Sequence, residues 1–355
     1  MRKLTIILMP LLIVALLLGA IACDGEETTP TQAPTAMPTP EPITLKLCYA
    51  FGPQTSTGKH VTRFAEMVEE YTNGLVNVDV YPSAVLFPVA AEFEAVVKGS
   101  VDIAWISPYY MVGTDPANML WYTEGLFEST EHGLAVLQDG RVMDILSARL
   151  EEAGVMPFGF VPFGMYSGYV TNVRPIRDFG TDLQGLKYGI RSGYPPTVLD
   201  EYAGYELVPL AREELLVSYM QGVIDVMCAG SLTQIVPDGW CGVADYVWIV
   251  PTGYMGGIPV MNLDAWNNLS DDMQDIIANE VIPDLVLESH AMIKGEEDTA
   301  REELLACMTD VYFATPEDVA AICEGVEDLP ARIKRMEDIG PDILAIIEEL
   351  RPSMN

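Results

Sequence analysis

Between Ile43 and Ile106 the chain alternates strand-like and helix-like patterns five times, and this narrows its fold more than any other feature. Ile43–Tyr49 alternates apolar and polar residues with the period of a strand. His60–Tyr71 carries an amphipathic helical stripe closed by Asn73-Gly74. Val76–Tyr81 is a second strand ended by Pro82, Ala90–Lys98 a second helix ended by Gly99, and Val101–Ile106 a third strand. This β-α-β-α-β order predicts an α/β layer built on a largely parallel sheet.

A second such run opens at "DLQGLKYGIRSG" (Asp182–Gly193). Its helices are expected at Pro196–Ala203 and Arg212–Gln221, its strands at Glu206–Pro209 and Val223–Ala229. Between the runs lie a helical stretch, Glu131–Ala153, and strands at Phe158–Val161 and Gly168–Thr171. The chain returns through strands at Tyr246–Pro251 and Pro259–Asn262, and beyond Asp264 it reads mostly as long helices. Two α/β units with strands crossing between them predict two lobes on a hinge, and small ligands favour such clefts.

The ends of the predicted strands supply candidate lining groups. Tyr109, in "WISPYYM", ends the third strand, where α/β sheets place ligands. Tyr166, in "MYSGY", falls near the hinge. "MCAGS" offers Met227 and Ser231 at another strand end, and "VWIVPTGYMGG" offers Trp248 and Tyr254. Aromatic residues also pack cores, so lobe packing is the competing role for each. Many aromatics with few charges suggest an apolar or ring-bearing solute with one anionic group.

The N-terminal residues suggest an address. Arg2 and Lys3 precede an apolar run from Leu4 to about Leu18, short for a membrane span but matching a secretory signal. The run ends Ala20-Ile21-Ala22-Cys23, which resembles the lipobox of bacterial lipoproteins. That resemblance implies removal of residues 1–22 and lipidation of Cys23. Residues 23–42 form a Thr/Pro-rich tether that cannot bury enough apolar surface to fold. Extended, it reaches roughly 60 Å at about 3.1 Å per residue. The expected location is extracytoplasmic, anchored to the cytoplasmic membrane.

The formal net charge is −33, and loss of Arg2 and Lys3 makes it two units more negative. No basic footprint for nucleic acid exists. A local arginine can still hold an anion, since charges beyond about 8 Å are screened at physiological salt. The six cysteines include no C-x-x-C pair, so no zinc ribbon or redox motif is expected. Outside the cytoplasm disulfides are permitted. Cys307–Cys323 and Cys228–Cys241 are the local pairings, with buried free thiols the simpler alternative. The three histidines, His60, His132 and His290, lie far apart, and no H-E-x-x-H, G-x-S-x-G or Walker motif occurs. No enzyme, cofactor or metal site is expected.

Six segments carry a resemblance to a known family. They are "LKLCYAFGPQTSTGKHVTRFAEMVEEYTNGLVNVDVYP" (Leu45–Pro82), "EFEAVVKGSVDIAW" (Glu92–Trp105), "EEAGV" (Glu151–Val155), "TNVRPIRDFGTDLQGLKYGIR" (Thr171–Arg191), "LVPLAREELLVSYMQGVIDV" (Leu207–Val226) and "IPVMNLDAWNNLSDDMQDII" (Ile258–Ile277). In order and spacing the chain resembles the solute-binding proteins of tripartite ATP-independent periplasmic (TRAP) transporters. The resemblance implies a two-lobed, periplasmic-binding-protein-like α/β fold with hinge strands and a long helix across both lobes, within Asp271–Cys307. It places lobe I at about 43–165 and 252–290 and lobe II at about 166–251 and 291–355. It further implies that Phe51, in the loop after the first strand, contacts the ligand, with lobe packing its competing role, and that the protein is a monomer that closes on a small organic solute, a carboxylate, and delivers it to a TRAP membrane permease. A binding lipoprotein serving a receptor, or an ATP-driven transporter, is the alternative.

The chain departs from the family where an anion would be held. Members read G-L-K-x-R, with the arginine clamping the ligand's carboxylate; here Gly189 takes that position and Arg191 lies one pleat further along the same face. A second arginine position holds Ser167, while Arg212 replaces an aromatic lining residue. Arg191, Arg212 or both are the candidate clamp, since a guanidinium pairs bidentately with carboxylate. Pairing of Arg212 with Glu213, Glu214 or another surface acid is the competing role.

Overall fold

The computed structural model describes residues 41–192 and 197–352. The signal segment, Cys23 and all but the last two residues of the tether lie outside the described residues. No helix among the described residues is long and apolar enough to cross a membrane.

Ten strands form one sheet: β1 Ile43–Cys48, β2 Val76–Tyr81, β3 Ile103–Ile106, β4 Val155–Pro157, β5 Val161–Thr171, β6 Lys187–Arg191, β7 Glu206–Leu210, β8 Val226–Ser231, β9 Tyr246–Asn262 and β10 Asp310–Phe313. The main order is β2-β1-β3-β9-β5-β8-β6-β7, with β4 and β10 paired to β9. Each end of the sheet holds a parallel trio, β2-β1-β3 or β7-β6-β8. Each trio is flanked by an antiparallel strand, β9 beside β3 and β5 beside β8. The first-lobe trio arises from the β-α-β-α-β alternation, because parallel neighbours need a crossover between them.

The strands expected separately at Tyr246–Pro251 and Pro259–Asn262 are one 17-residue strand, β9. Its Tyr246–Gly257 part pairs with β5, and its Ile258–Met261 part with β3, so β9 and β5 carry the chain between the lobes. The segment between the expected strands, Thr252–Ile258, is almost wholly buried, and its three glycines leave no apolar alternation to read.

The helix expected over Glu131–Ala153 is two helices, Thr130–Asp139 and Arg141–Glu151, parted by Gly140 at φ +82°. A left-handed glycine ends a helix at little cost, which a periodicity reading overlooks. β10 was not expected either, because it is four half-buried residues between helices.

The long helical stretch runs from Asp271 through a π-helical turn at Ile277–Val281 and on to Cys307. The turn ends two residues before Pro283, which lacks the N–H that a continuous α-helix would use. Ile282 and Leu285 bury in the cluster around Phe64, Trp105 and Trp266. Ile293 enters the cluster around Trp121 and Phe160, and Ala300 and Leu304 the second-lobe cluster around Trp248. One helix thus supplies all three cores, and each fully buried aliphatic stabilises the fold by roughly 1.5–3 kcal/mol.

Residues 291–355 do not all pack on the second lobe, as the sequence boundaries had it. Ile339, Ile343 and Ile347 bury beside Val142, Leu146 and Leu150 in the first lobe. Neither local cysteine pairing forms: Cys241 bonds to Cys307. The parallel pairing of β10 with the start of β9 brings the end of the long helix beside Cys241. Cys48 is a buried thiol, and Cys228 and Cys323 are half-buried ones.

Candidate ligand-binding cleft

The carboxyl ends of the parallel strands converge on one cavity. The loop after β1 brings Phe51, that after β3 brings Ser107 and Tyr109, the end of β6 brings Arg191, and the end of β8 brings Gly230 and Ser231. The hinge strands add Ser167 and Thr252. The cavity encloses about 860 Å³ of space, its open mouth included.

One wall is aromatic. The Tyr109 and Tyr122 rings stand 4.2 Å apart between centroids, tilted by 43°. Tyr122 Oη donates to the Gly256 carbonyl at 3.0 Å and lies 3.2 Å from Ser107 Oγ, so its ring is fixed from both sides. At the hinge, Ser167 Oγ and Thr252 Oγ1 share a hydrogen bond of 2.8 Å. Gln234 Nε2 donates to Thr57 Oγ1 at 3.4 Å, joining the helix after β8 to the first helix of the first lobe.

Arg191 ends β6 and donates from Nη2 to the Cys228 carbonyl at 3.3 Å. Gly230, at φ +104°, lies under it: a Cβ there would stand 3.7 Å from Arg191 Nη2 and 2.9 Å from Gln234 Oε1. The departure at Gly189 is also explained. A Cβ on Gly189 would fall 2.3 Å from Ile224 Cδ1, so a side chain on this pleat would have to displace Ile224.

Two acids line the same cavity. Asp200 is buried, accepts from the Thr197 N–H at 2.6 Å through Oδ2, and leaves Oδ1 without a partner. Burial pushes its carboxyl up to about 7, against the hydrogen bonds from Thr197. Burial likewise raises the Glu124 carboxyl, against a backbone hydrogen bond and the charges of Arg335 and Arg332.

Of the residues the sequence singled out, Phe51, Tyr109, Arg191 and Ser231 line the cavity. Tyr166 does not. Adjacent residues of a strand face opposite ways, so Ser167 faces the cavity while the Tyr166 ring lies 4.9 Å from the Arg301 guanidinium. The same alternation buries Met227 in the second-lobe core and leaves Cys228 at the cavity. Trp248 is buried against Phe179, with ring centroids 4.6 Å apart. Tyr254 is buried in the first lobe, its Oη 3.1 Å from His290 Nδ1.

Arg212 lies outside the cavity. Its Nη2 donates to Asp238 Oδ2 at 3.1 Å, and its guanidinium carbon sits 4.7 Å from the Phe51 ring centroid. The acid it pairs with is Asp238, beyond the helix that follows β8, rather than Glu213 or Glu214. With Arg191, Asp238 and Met227 it borders a separate recess.

Sequence reasoning missed Thr57, Ser107, Tyr122, Glu124, Ser167, Asp200, Gln234 and Thr252. Ser107 stood in the quoted strand end and was legible there. Glu124 and Asp200 were not, since acids in so acidic a chain read as solvated surface. Among the described residues, no group of three or more His, Cys, Asp or Glu is placed to hold a metal ion.

The comparisons with known proteins agree with this geometry. The family described as bacterial extracellular solute-binding protein, family 7, matches residues 48–335. The C4-dicarboxylate-binding periplasmic protein DctP of Rhodobacter capsulatus is 25% identical over 348 residues, covering 95% of this chain and 97% of the relative. The 2,3-diketo-L-gulonate-binding periplasmic protein YiaO of Escherichia coli is 24% identical over 64% of this chain and 70% of its own length. A TRAP periplasmic solute-binding protein from Sulfurospirillum deleyianum, solved with bound succinate, superimposes with a TM-score of 0.74 at 23% identity, covering 88% of this chain and all of that one. The sugar-acid-binding protein of Advenella mimigardefordensis, solved with galactonate, gives 0.76 at 19% identity over 87% of this chain and 99% of that one. These relatives share the two-lobed fold. The family is one of binding proteins, not of enzymes, and this chain belongs to it: a bacterial extracellular solute-binding protein of family 7.

Proposed function

We propose that the cleft captures a small organic carboxylate outside the cytoplasmic membrane and that the closed protein delivers it, as a monomer, to a TRAP-type permease. One observation carries the reading: among the described residues lining the cavity, Arg191 alone bears a permanent positive charge. Its planar fork suits a carboxylate, and an anion there gains charge-assisted hydrogen bonds in a site partly shielded from water. Phe51 and Tyr109 supply flat apolar walls, and Ser231, Ser167 and Thr252 supply hydroxyls. The ligands named for the relatives, a C4-dicarboxylate, a diketo-gulonate, succinate and galactonate, are all carboxylates and support the same reading. Because both lobes line the cavity, a solute that touches both favours the closed state by its differential affinity. Lipidation of Cys23 would hold this cycle at the membrane surface, and residues 23–42 would give the body its reach.

Isothermal titration with a panel of aliphatic, aromatic and sugar acids tests the assignment. A micromolar or tighter carboxylate is expected, with Arg191→Ala weakening it by about 30- to 100-fold, the worth of a charge-assisted pair. A ligand whose affinity ignores Arg191→Ala rejects the clamp. Incorporation of labelled palmitate, lost in Cys23→Ser, tests the anchor.

A further inference from the structure

The carboxylate reading uses neither of the cavity's two acids, each of which bonds a backbone N–H, of Thr197 or of Leu199, at the start of helix Val198–Ala203. Glu124 follows the 3-10 turns of the first lobe, and Asp200 lies in the first turn of helix Val198–Ala203 of the second. Both are 4% exposed, both line the cavity, and each keeps one carboxyl oxygen, Glu124 Oε2 and Asp200 Oδ1, without a hydrogen-bond partner. They come from different lobes and lie close enough for Glu124 to raise the Asp200 carboxyl, with Arg335 acting in the opposite sense. A buried acceptor left unmade is costly. A second anion beside either acid in its ionised form would be repelled.

We propose that Glu124 and Asp200 form a subsite that accepts hydrogen bonds from the solute, so that the solute carries an O–H or N–H donor besides its carboxylate and is not a dicarboxylate. This rests on the carboxylate reading above and narrows it. It also separates this chain from the C4-dicarboxylate-binding relative despite their shared length. Since the two acids belong to opposite lobes, a donor bridging them would also favour closure. The donor is a hydroxyl or an ammonium: both fill the bare oxygens, and only the ammonium adds charge.

The test uses the full chain and matched acids that differ at one end. One set is succinate, 4-hydroxybutanoate and 4-aminobutanoate; the other is terephthalate, 4-(hydroxymethyl)benzoate and 4-(aminomethyl)benzoate. In at least one set a donor-bearing acid is expected to bind tenfold or more tighter than its dicarboxylate. Glu124→Met should erase that preference for either donor, whereas Glu124→Gln should erase it only for the ammonium. Asp200 closes the capping box of helix Val198–Ala203, and Glu124 accepts from the Leu199 N–H in that helix's first turn, so Asp200→Asn and Glu124→Met are read only if their melting temperatures match the parent, and the parent's own preference between the matched acids carries the test otherwise. Dicarboxylates binding as tightly as their partners, or a preference that survives Glu124→Met, overturns the subsite while the carboxylate reading stands. If no acid of either kind binds, the carboxylate reading fails and the subsite falls with it.

Discussion

The guanidinium of Arg212 lies over the ring of Phe51, with 4.7 Å between its central carbon and the ring centroid. Phe51 follows the first strand of one lobe and Arg212 follows β7 of the other, so this contact crosses the cleft at the cavity's edge. Asp238 holds the arginine from behind. A partly desolvated cation–π contact is worth about 0.5–2 kcal/mol. Arg212→Ala should therefore weaken solute binding by roughly 3- to 30-fold by destabilising the closed form, without removing a ligand contact. Phe51→Leu should cost at least as much, because Phe51 also lines the cavity. A double-mutant cycle should show coupling between the two. Additive effects would mean that the stack does not report on closure.

Glu92 gives a pH prediction. It is fully buried with no hydrogen-bond partner on either oxygen, and burial pushes its carboxyl up to about 8, against the charge of Arg212 and with that of Glu213. The fold therefore prefers the protonated acid. A raised carboxyl pKa gives stability that is full below the unfolded value and is lost as pH rises through the folded one. Stability should fall between about pH 4.5 and 8, by an amount on the order of a few kcal/mol. Asp200, raised to about 7, contributes in the same direction. Glu92→Gln should flatten part of this slope and raise the melting temperature at pH 8. Chemical denaturation from pH 4 to 9 measures it, and an unchanged slope in Glu92→Gln would contradict the assignment.

The Cys241–Cys307 bond spans 66 residues and ties the entry to β9 to the end of the long helix. Loop-closure entropy for that span is about 4 kcal/mol. Cys307→Ser should lower the melting temperature by roughly 5–10 °C, whereas Cys323→Ser, at the cysteine nearer in sequence, should not. Peptide mapping under non-reducing conditions identifies the bonded pair.

A side chain at Gly189 should cost stability. With a Cβ there 2.3 Å from Ile224 Cδ1, Gly189→Ala is expected to destabilise the second lobe by about 1–3 kcal/mol, as overpacked cores do. Gly189→Arg should fail to restore the family's usual clamp. A folded Gly189→Arg variant with tighter carboxylate binding would show that the pleat can be emptied.

The lobes were legible because period-2 and period-3.6 patterns alternate cleanly from Ile43 to Ile106 and again from Lys187 to Ser231. Strand ends then pointed to Tyr109 and Ser231, and the family resemblance to Phe51 and Arg191. What failed was the choice of face. Tyr166 and Met227 sit one residue from Ser167 and Cys228, and a single-residue offset turns a side chain from cavity to core. Trp248 and Tyr254 lie on β9, whose burial on both faces leaves no alternation to read. Glu124 and Asp200 were hidden for another reason: 52 acids supply no contrast, and only burial distinguishes these two. The Cys241–Cys307 pair depended on the β9–β10 pairing, a long-range contact without a local signal.

The central claim is that Arg191 holds a carboxylate inside the cleft between the lobes. The most direct test is a crystal structure with an acid that titration has shown to bind. Its carboxylate should lie about 3 Å from the Arg191 guanidinium, between Phe51, Tyr109 and Ser231, with both lobes in contact with it. An acid bound elsewhere, or bound in this cleft with its carboxylate turned away from Arg191, would contradict the account.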